Sequence, residues 1–473
     1  MIHSGEHVFG AFRRLIASFR LAALCAATVF VMIQPAKADI GTYILIDART
    51  GDVLDQKDPT RLWYPASLTK IMTAYVTYKA IREGRATLDS VVVQSKNSLA
   101  EPPSKMGFRV GTTLTVDAAL KIILIKSAND IAVALGEAIA GSETGFIAMM
   151  NAEAKRLGMV DTRFVNPHGL PDNRQITTAR DMAILAQAFW QDFPEARDVY
   201  KHPGIKFGKK TLRSANREYL LRVPGANGMK TGYICNSGYN VAATATRGNR
   251  TLIAIVMGAA SGLERIAHTR HMMDEGFRKR SGRFTVATLP RAGGRPPADG
   301  YCRRNPKPGA KGIMARYDLQ GAQPSTNVLS LVNPARKEGG VLIPGLFKGK
   351  KQEPKPVDAE EFKLANGKTD WGKILDRSIG PRRIAYRPIA VTTRVPAGAS
   401  SPVALAPAIN VPIPTPNPRR QLAAAVARAA AEAVSGSDAP QRPGVAVENP
   451  SPGSLFRKGI GFSAPVPPSR PEN

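Results

Sequence analysis

Cysteine is scarce, three in 473 residues. Cys25 falls inside an N-terminal apolar run, and the remaining pair, Cys235 and Cys302, is too small a set for a disulfide framework. An oxidising compartment would permit one bridge between them, but the sequence does not say whether it forms. Acidic side chains are also few: 37 Asp and Glu stand against 66 Lys and Arg, a net charge of +29. Such an excess implies contact with something anionic, and nucleic acid, membrane surface and wall polymer all qualify. Beyond residue 33 no apolar run approaches the ~20 residues that a membrane span needs. Histidine offers no metal site, because no second ligand stands at a useful spacing from His168. His168 lies in the turn-rich Asn166-Pro167-His168-Gly169-Leu170 and is read as loop geometry, while His268 and His271 are read as surface residues of a helix.

The N-terminus narrows the choice of partner. Arg13, Arg14 and Arg20 lead into the apolar residues 21–33, and Ala36-Lys37-Ala38 supplies a small-x-small cleavage pattern before Asp39. Residues 1–38 therefore read as a secretory signal peptide, and the mature chain is expected in the periplasm or cell envelope. An exported chain does not meet nucleic acid, so none is expected as partner; weak contact with anionic membrane or wall polymers fits the charge. Residues 39–280 carry regular apolar periods, but 27 of the 37 prolines follow residue 280. Residues 281–473 are accordingly expected to be a basic, Pro/Ala-rich and mostly disordered tail. Within it, residues 421–434 are an alanine-rich helix candidate and residues 455–462 a weak surface anchor.

Apolar spacing predicts the elements of 39–280. Residues 42–54 form a hairpin around Arg49-Thr50-Gly51-Asp52, and a helix buried on nearly every side follows Pro65 and closes at Gly84. Helices are expected at 115–124, 131–140, 145–157, 179–189 and 265–277. Between residues 239 and 257 the period changes to two, giving a pair of antiparallel strands joined at Arg247-Gly248-Asn249-Arg250, with Lys230 on the strand before them.

Three short motifs carry the chemistry. In Ser67-Leu68-Thr69-Lys70 the two functional residues are three apart on a predicted helix, where side chains are neighbours with roughly 5–6 Å between Cβ atoms. A serine hydroxyl attacks only if a base takes its proton, and a lysine can act as that base only when a dry, cationic neighbourhood keeps it neutral. Ser127-Ala128-Asn129 lies in a tight connection between two helices, from which Ser127 and Asn129 can point into one cleft. Lys230-Thr231-Gly232 follows, on a strand whose extended backbone can pair with a peptide substrate. On its own Ser67-x-x-Lys70 fits a solvated surface helix better; the three motifs in this order do not.

The segment from Ile44 to about Phe277 resembles the low-molecular-weight penicillin-binding proteins that are D-alanyl-D-alanine carboxypeptidases. The resemblance rests on Pro65-Ala66-Ser67-Leu68-Thr69-Lys70, Ser127-Ala128-Asn129-Asp130, Asn166-Pro167-His168-Gly169-Leu170, Thr178-Ala179-Arg180-Asp181 and Lys230-Thr231-Gly232, with S-A-N where the family pattern commonly has S-D-N. It implies an α/β (α+β) penicillin-recognising serine transferase fold, an antiparallel sheet flanked by helices plus an all-α subdomain. It also implies that Ser67 forms an acyl-enzyme with Lys70 as base and Ser127 as proton relay. The backbone N–H groups of Ser67 and Tyr233 would make the oxyanion hole. Asn129 would bond the substrate amide, and Lys230, Thr231, Gly232 and Arg265 would line the site of the terminal carboxylate. The implied substrates are peptidoglycan stem peptides, with β-lactams as covalent inhibitors and no cofactor. The alternatives are a D,D-endopeptidase using the same residues and a non-catalytic basic wall-binding protein.

Overall fold

A computed structural model describes residues 40–291, 293–319 and 360–402. The expected signal peptide, the alanine-rich segment at 421–434 and the segment at 455–462 lie outside the described residues. The centre is a five-stranded antiparallel sheet in the order β2-β1-β9-β8-β7, formed by β1 (Thr42–Asp47), β2 (Val53–Lys57), β7 (Ala226–Ile234), β8 (Gly238–Arg247) and β9 (Arg250–Ala259). Because side chains alternate across a strand, the two faces feed two separate cores. Ile44, Ile46, Ile253, Ile255 and Met257 join the larger core, while Leu45, Leu252, Ala254 and Val256 join the smaller one.

The larger core belongs to α1 (Thr69–Arg82), α2 (Asn129–Ala140), α3 (Glu143–Arg156) and α4 (Ala179–Asp192). Helix α1 is buried from Thr69 to Tyr78 without a break, as its uninterrupted apolar run requires. Thr115, Ser142 and Thr178 cap the helices that follow them by accepting from backbone N–H groups three residues on. The helix expected at 115–124 is α-helical only over Val116–Lys121 and continues as a π turn, Ile122–Lys126, that delivers the chain to Ser127. On the opposite face of the sheet, α5 (Gly262–Arg278) covers the smaller core through Ile266, Ala267, Met272 and Met273. No single helix among the described residues is long and apolar enough to cross a membrane.

The described part of the expected tail is corrected: it is built into the domain. Helix α6 (Ala310–Tyr317) buries Ile313 and Met314, and α7 (Trp371–Ile379) buries Ile374 and Ile379 beside α5. Strand β10 (Ile389–Val391) then pairs in parallel with β5 (Gly204–Phe207), which pairs in turn with β6 (Lys210–Arg213), and β3 (Val91–Val93) and β4 (Thr113–Thr115) form a separate antiparallel pair. These elements were not read because each is short and isolated between prolines, leaving too few turns for a period to emerge. His268 is corrected with them. It is half-buried, edge-on to Tyr43 and bonded to the Tyr317 hydroxyl at 3.2 Å, whereas His271 is exposed as expected.

Candidate active site

Ser67 stands in the 3₁₀ turn Ala66–Leu68 that opens α1. That turn is clamped from three directions. Asn240 of β8 donates from Nδ2 to the carbonyls of Tyr64 (3.0 Å) and Pro65 (3.3 Å). Gly232 of β7 lies so close that a Cβ there would stand 3.0 Å from the Ser67 nitrogen. Gly169 has φ +90°, and its Cβ would fall 1.8 Å from the Ala66 carbonyl oxygen, so only glycine fits.

The Lys70 Nζ is fully buried, 3.1 Å from Ser67 Oγ, 2.7 Å from Asn129 Oδ1 and 2.8 Å from the His168 carbonyl oxygen. Burial, then the charge of Lys230, pushes its pKa well below the usual lysine value, with Asp130 opposing. A neutral amine has two N–H bonds and one lone pair. The Asn129 and His168 oxygens take the two N–H bonds, and the lone pair is left facing the Ser67 hydroxyl. That is the geometry of a general base.

Ser127 ends the π turn in the left-handed conformation, φ +66°, which turns its hydroxyl into the cleft. Its Oγ accepts from Lys230 Nζ at 2.8 Å, and the same Nζ donates to the Thr231 carbonyl at 2.8 Å. Burial, then Arg265 and Lys126, lowers the Lys230 pKa to about 7. Arg265, on α5, is 4% exposed, and its guanidinium donates to the Ala215 carbonyl (3.0 Å) and the Asn240 carbonyl (3.5 Å). Among the described residues it has no carboxylate partner, and burial lowers its pKa to about 10. A buried guanidinium without a carboxylate partner, beside Lys230, is suited to an incoming anion. Thr231 is buried, and Tyr233 is 47% exposed on the edge strand β7.

Asn129 is more engaged than the sequence suggested. Its Oδ1 holds Lys70, and its Nδ2 donates to the Pro102 carbonyl at 2.9 Å, which leaves one N–H for a substrate. His168 was read as loop geometry, and its side chain proves to be part of a buried cluster. Its Nδ1 accepts from the Leu170 N–H at 3.1 Å, so the ring proton sits on Nε2, 3.2 Å from Glu101 Oε2. Burial and Lys70 keep the ring neutral. Glu143 completes a three-residue group whose ligand-type atoms lie within 4.8 Å of one another. No spacing rule could have found it, since its members come from 101, 143 and 168. Cys235 and Cys302 form a disulfide that ties the chain after α5 to the end of β7.

Residues 30–261 match the profile of the D-alanyl-D-alanine carboxypeptidase family. The D-alanyl-D-alanine carboxypeptidase DacC of Escherichia coli is 36% identical over 277 residues, covering 56% of this chain and 69% of that protein. A D-alanyl-D-alanine endopeptidase of Pseudomonas aeruginosa is 28% identical over 256 residues, covering 50% of this chain and 80% of that one. Among solved structures, penicillin-binding protein 5 of Haemophilus influenzae aligns with 32% identity and a TM-score of 0.49, covering 52% of this chain and 73% of that chain. With Ser67, Lys70, Ser127 and Lys230 gathered in one cleft and 36% identity across more than two thirds of a carboxypeptidase, the chain belongs to the D-alanyl-D-alanine carboxypeptidase family of low-molecular-weight penicillin-binding proteins.

Proposed function

We propose that the chain is a serine-type D-alanyl-D-alanine carboxypeptidase that removes the terminal D-alanine from peptidoglycan stem peptides. The observation that carries this reading is the buried Lys70, 3.1 Å from Ser67 Oγ, held by the Asn129 and His168 oxygens and with its pKa pushed well below the usual lysine value by burial and Lys230. Ser67 Oγ attacks the carbonyl carbon of the terminal peptide bond, and its proton passes to Lys70 Nζ. The oxyanion is stabilised by the backbone N–H groups of Ser67 and Tyr233, aimed at the charge as it develops. On collapse the C–N bond breaks, and the departing amine takes up a proton through Ser127 Oγ. Lys230, Thr231 and Arg265 hold the terminal carboxylate. Water then attacks the Ser67 ester, with Lys70 again accepting the proton, and free serine is restored. A β-lactam amide is attacked in the same way and leaves a stable acyl-enzyme.

Export to the cell envelope is part of the proposal, supported by the basic and apolar stretches ahead of Asp39. The +29 charge supports weak contact with anionic wall or membrane polymers. A D,D-endopeptidase is the second reading, favoured only by the 28% identity to such an enzyme. Two measurements test the function. Purified protein should be labelled by a fluorescent penicillin, and Ser67→Ala should not. It should also release D-alanine from a pentapeptide faster than it opens a crosslinked dimer; the reverse order would favour the endopeptidase, and an unlabelled wild type would favour a binder.

A further inference from the structure

Strand β7 is an edge of the sheet among the described residues, and it carries the site's Lys230, Thr231 and Gly232. A peptide whose terminal carboxylate is held at Lys230, Thr231 and Arg265, with its scissile carbonyl at Ser67, must run antiparallel to β7 toward Cys235. An extended chain advances ~3.4 Å per residue, so the residue before the D-alanyl-D-alanine unit falls near the end of β7, past Tyr233. A hollow of about 130 Å³ opens there. Tyr233 and Tyr239, paired across β7 and β8 with ring centroids 4.4 Å apart, form one wall. Tyr301, Cys302, Asn305 and Lys307 form the other, held in place by the Cys235–Cys302 disulfide and by a bond from the Tyr301 hydroxyl to the Gly258 carbonyl at 2.9 Å. Lys307 is exposed, and no acidic side chain lines the hollow.

We propose that this hollow is the subsite for the side chain preceding the D-alanyl-D-alanine terminus, and that Lys307 selects a side chain bearing a carboxylate. The tyrosine rings pack the aliphatic stem of that side chain, and the ammonium pairs with its charged end. Tyr301, Cys302, Asn305 and Lys307 lie beyond residue 261, where the family profile match ends. The proposal rests on the carboxypeptidase reading and names its substrate class.

The test compares N-acetyl tripeptides X-D-Ala-D-Ala with X glutamate, glutamine or lysine. Wild type should favour glutamate over glutamine about fivefold in kcat/KM, the size of a solvent-exposed charge pair. Added salt should shrink the preference. Lys307→Gln should remove it and Lys307→Glu should turn it toward lysine, with penicillin acylation at Ser67 unchanged in both. Cys302→Ser, which unties the wall, should also flatten it. Equal turnover of all three peptides by wild type, a preference for lysine, or a glutamate preference that survives in Lys307→Gln would overturn the subsite while leaving the carboxypeptidase intact. Failure of wild type to cut any peptide or to take up penicillin would overturn the enzymatic reading, and the subsite with it.

Discussion

Two buried amines share one cleft in this protein, and their protonation decides both chemistry and stability. Lys70 must be neutral to accept the Ser67 proton, so acylation should rise with pH through its depressed pKa. Lys230, at about 7, is poised to exchange a proton with Ser127. The same depression has a consequence for folding. Between about pH 7 and the ordinary lysine value the unfolded chain binds more protons than the folded one, so stability climbs with pH, by at most about 1.4 kcal/mol per pH unit for each such group. Lys230→Met should abolish turnover and make that climb shallower, with Lys70 still contributing, measured as urea stability at pH 6, 7.5 and 9. An equally steep climb in the variant would show that Lys230 is not the depressed group. His168 makes a second prediction at this scale. Its ring, fixed between Leu170 and Glu101, holds the carbonyl on which Lys70 rests. His168→Ala should slow penicillin acylation by about 10²-fold through misplacement of Lys70. Stopped-flow acylation rates, read beside a thermal melt, separate this from general unfolding.

At the scale of elements, the site is a meeting of one helix start, one π turn and one edge strand. The sequence supplied each of these in isolation: α1 from its unbroken apolar run, the connection at Ser127 from its position between two apolar helices, and β7 from the period-two strands after it. It gave no account of how closely they meet. Gly169 illustrates the difference, because its turn-forming character is plain from Asn166-Pro167-His168-Gly169 while its contact with Ala66 is not. Gly169→Ala, with strained φ and a Cβ only 1.8 Å from the Ala66 carbonyl oxygen, should cost about 2 kcal/mol or more and reduce Ser67 acylation in step. A variant of unchanged melting temperature and normal acylation would mean that the turn has room to retreat.

For the molecule as a whole, the described segments after α5 are structural. Residues 310–319 and 371–380 cover the far face through Ile313, Met314, Ile374 and Ile379, and Arg222, Arg270 and Arg316 fasten them with bonds to Asp376, the Ile379 carbonyl and Glu264, while Val391 of β10 joins the larger core. Truncation after residue 280 should therefore destabilise the domain by about 2–5 kcal/mol, much of it from loss of the disulfide. Differential scanning calorimetry of the two lengths checks this, and equal stability would return these segments to the status of a tail.

Local order carried the strands of the sheet and the pairing of Ser67 with Lys70, the proposed nucleophile and base, since each depends on neighbours within a turn or on a short period that survives in one dimension, whereas Ser127 as relay came from the family resemblance. Only the tertiary structure decided that Lys70 rests on the His168 carbonyl, that Glu101 and Glu143 stand behind it, that Cys235 meets Cys302, and that α6 and α7 pack beside α5. Those contacts join residues tens to hundreds of positions apart. No periodicity records such a distance; it exists only once burial of the two apolar faces has brought the segments together.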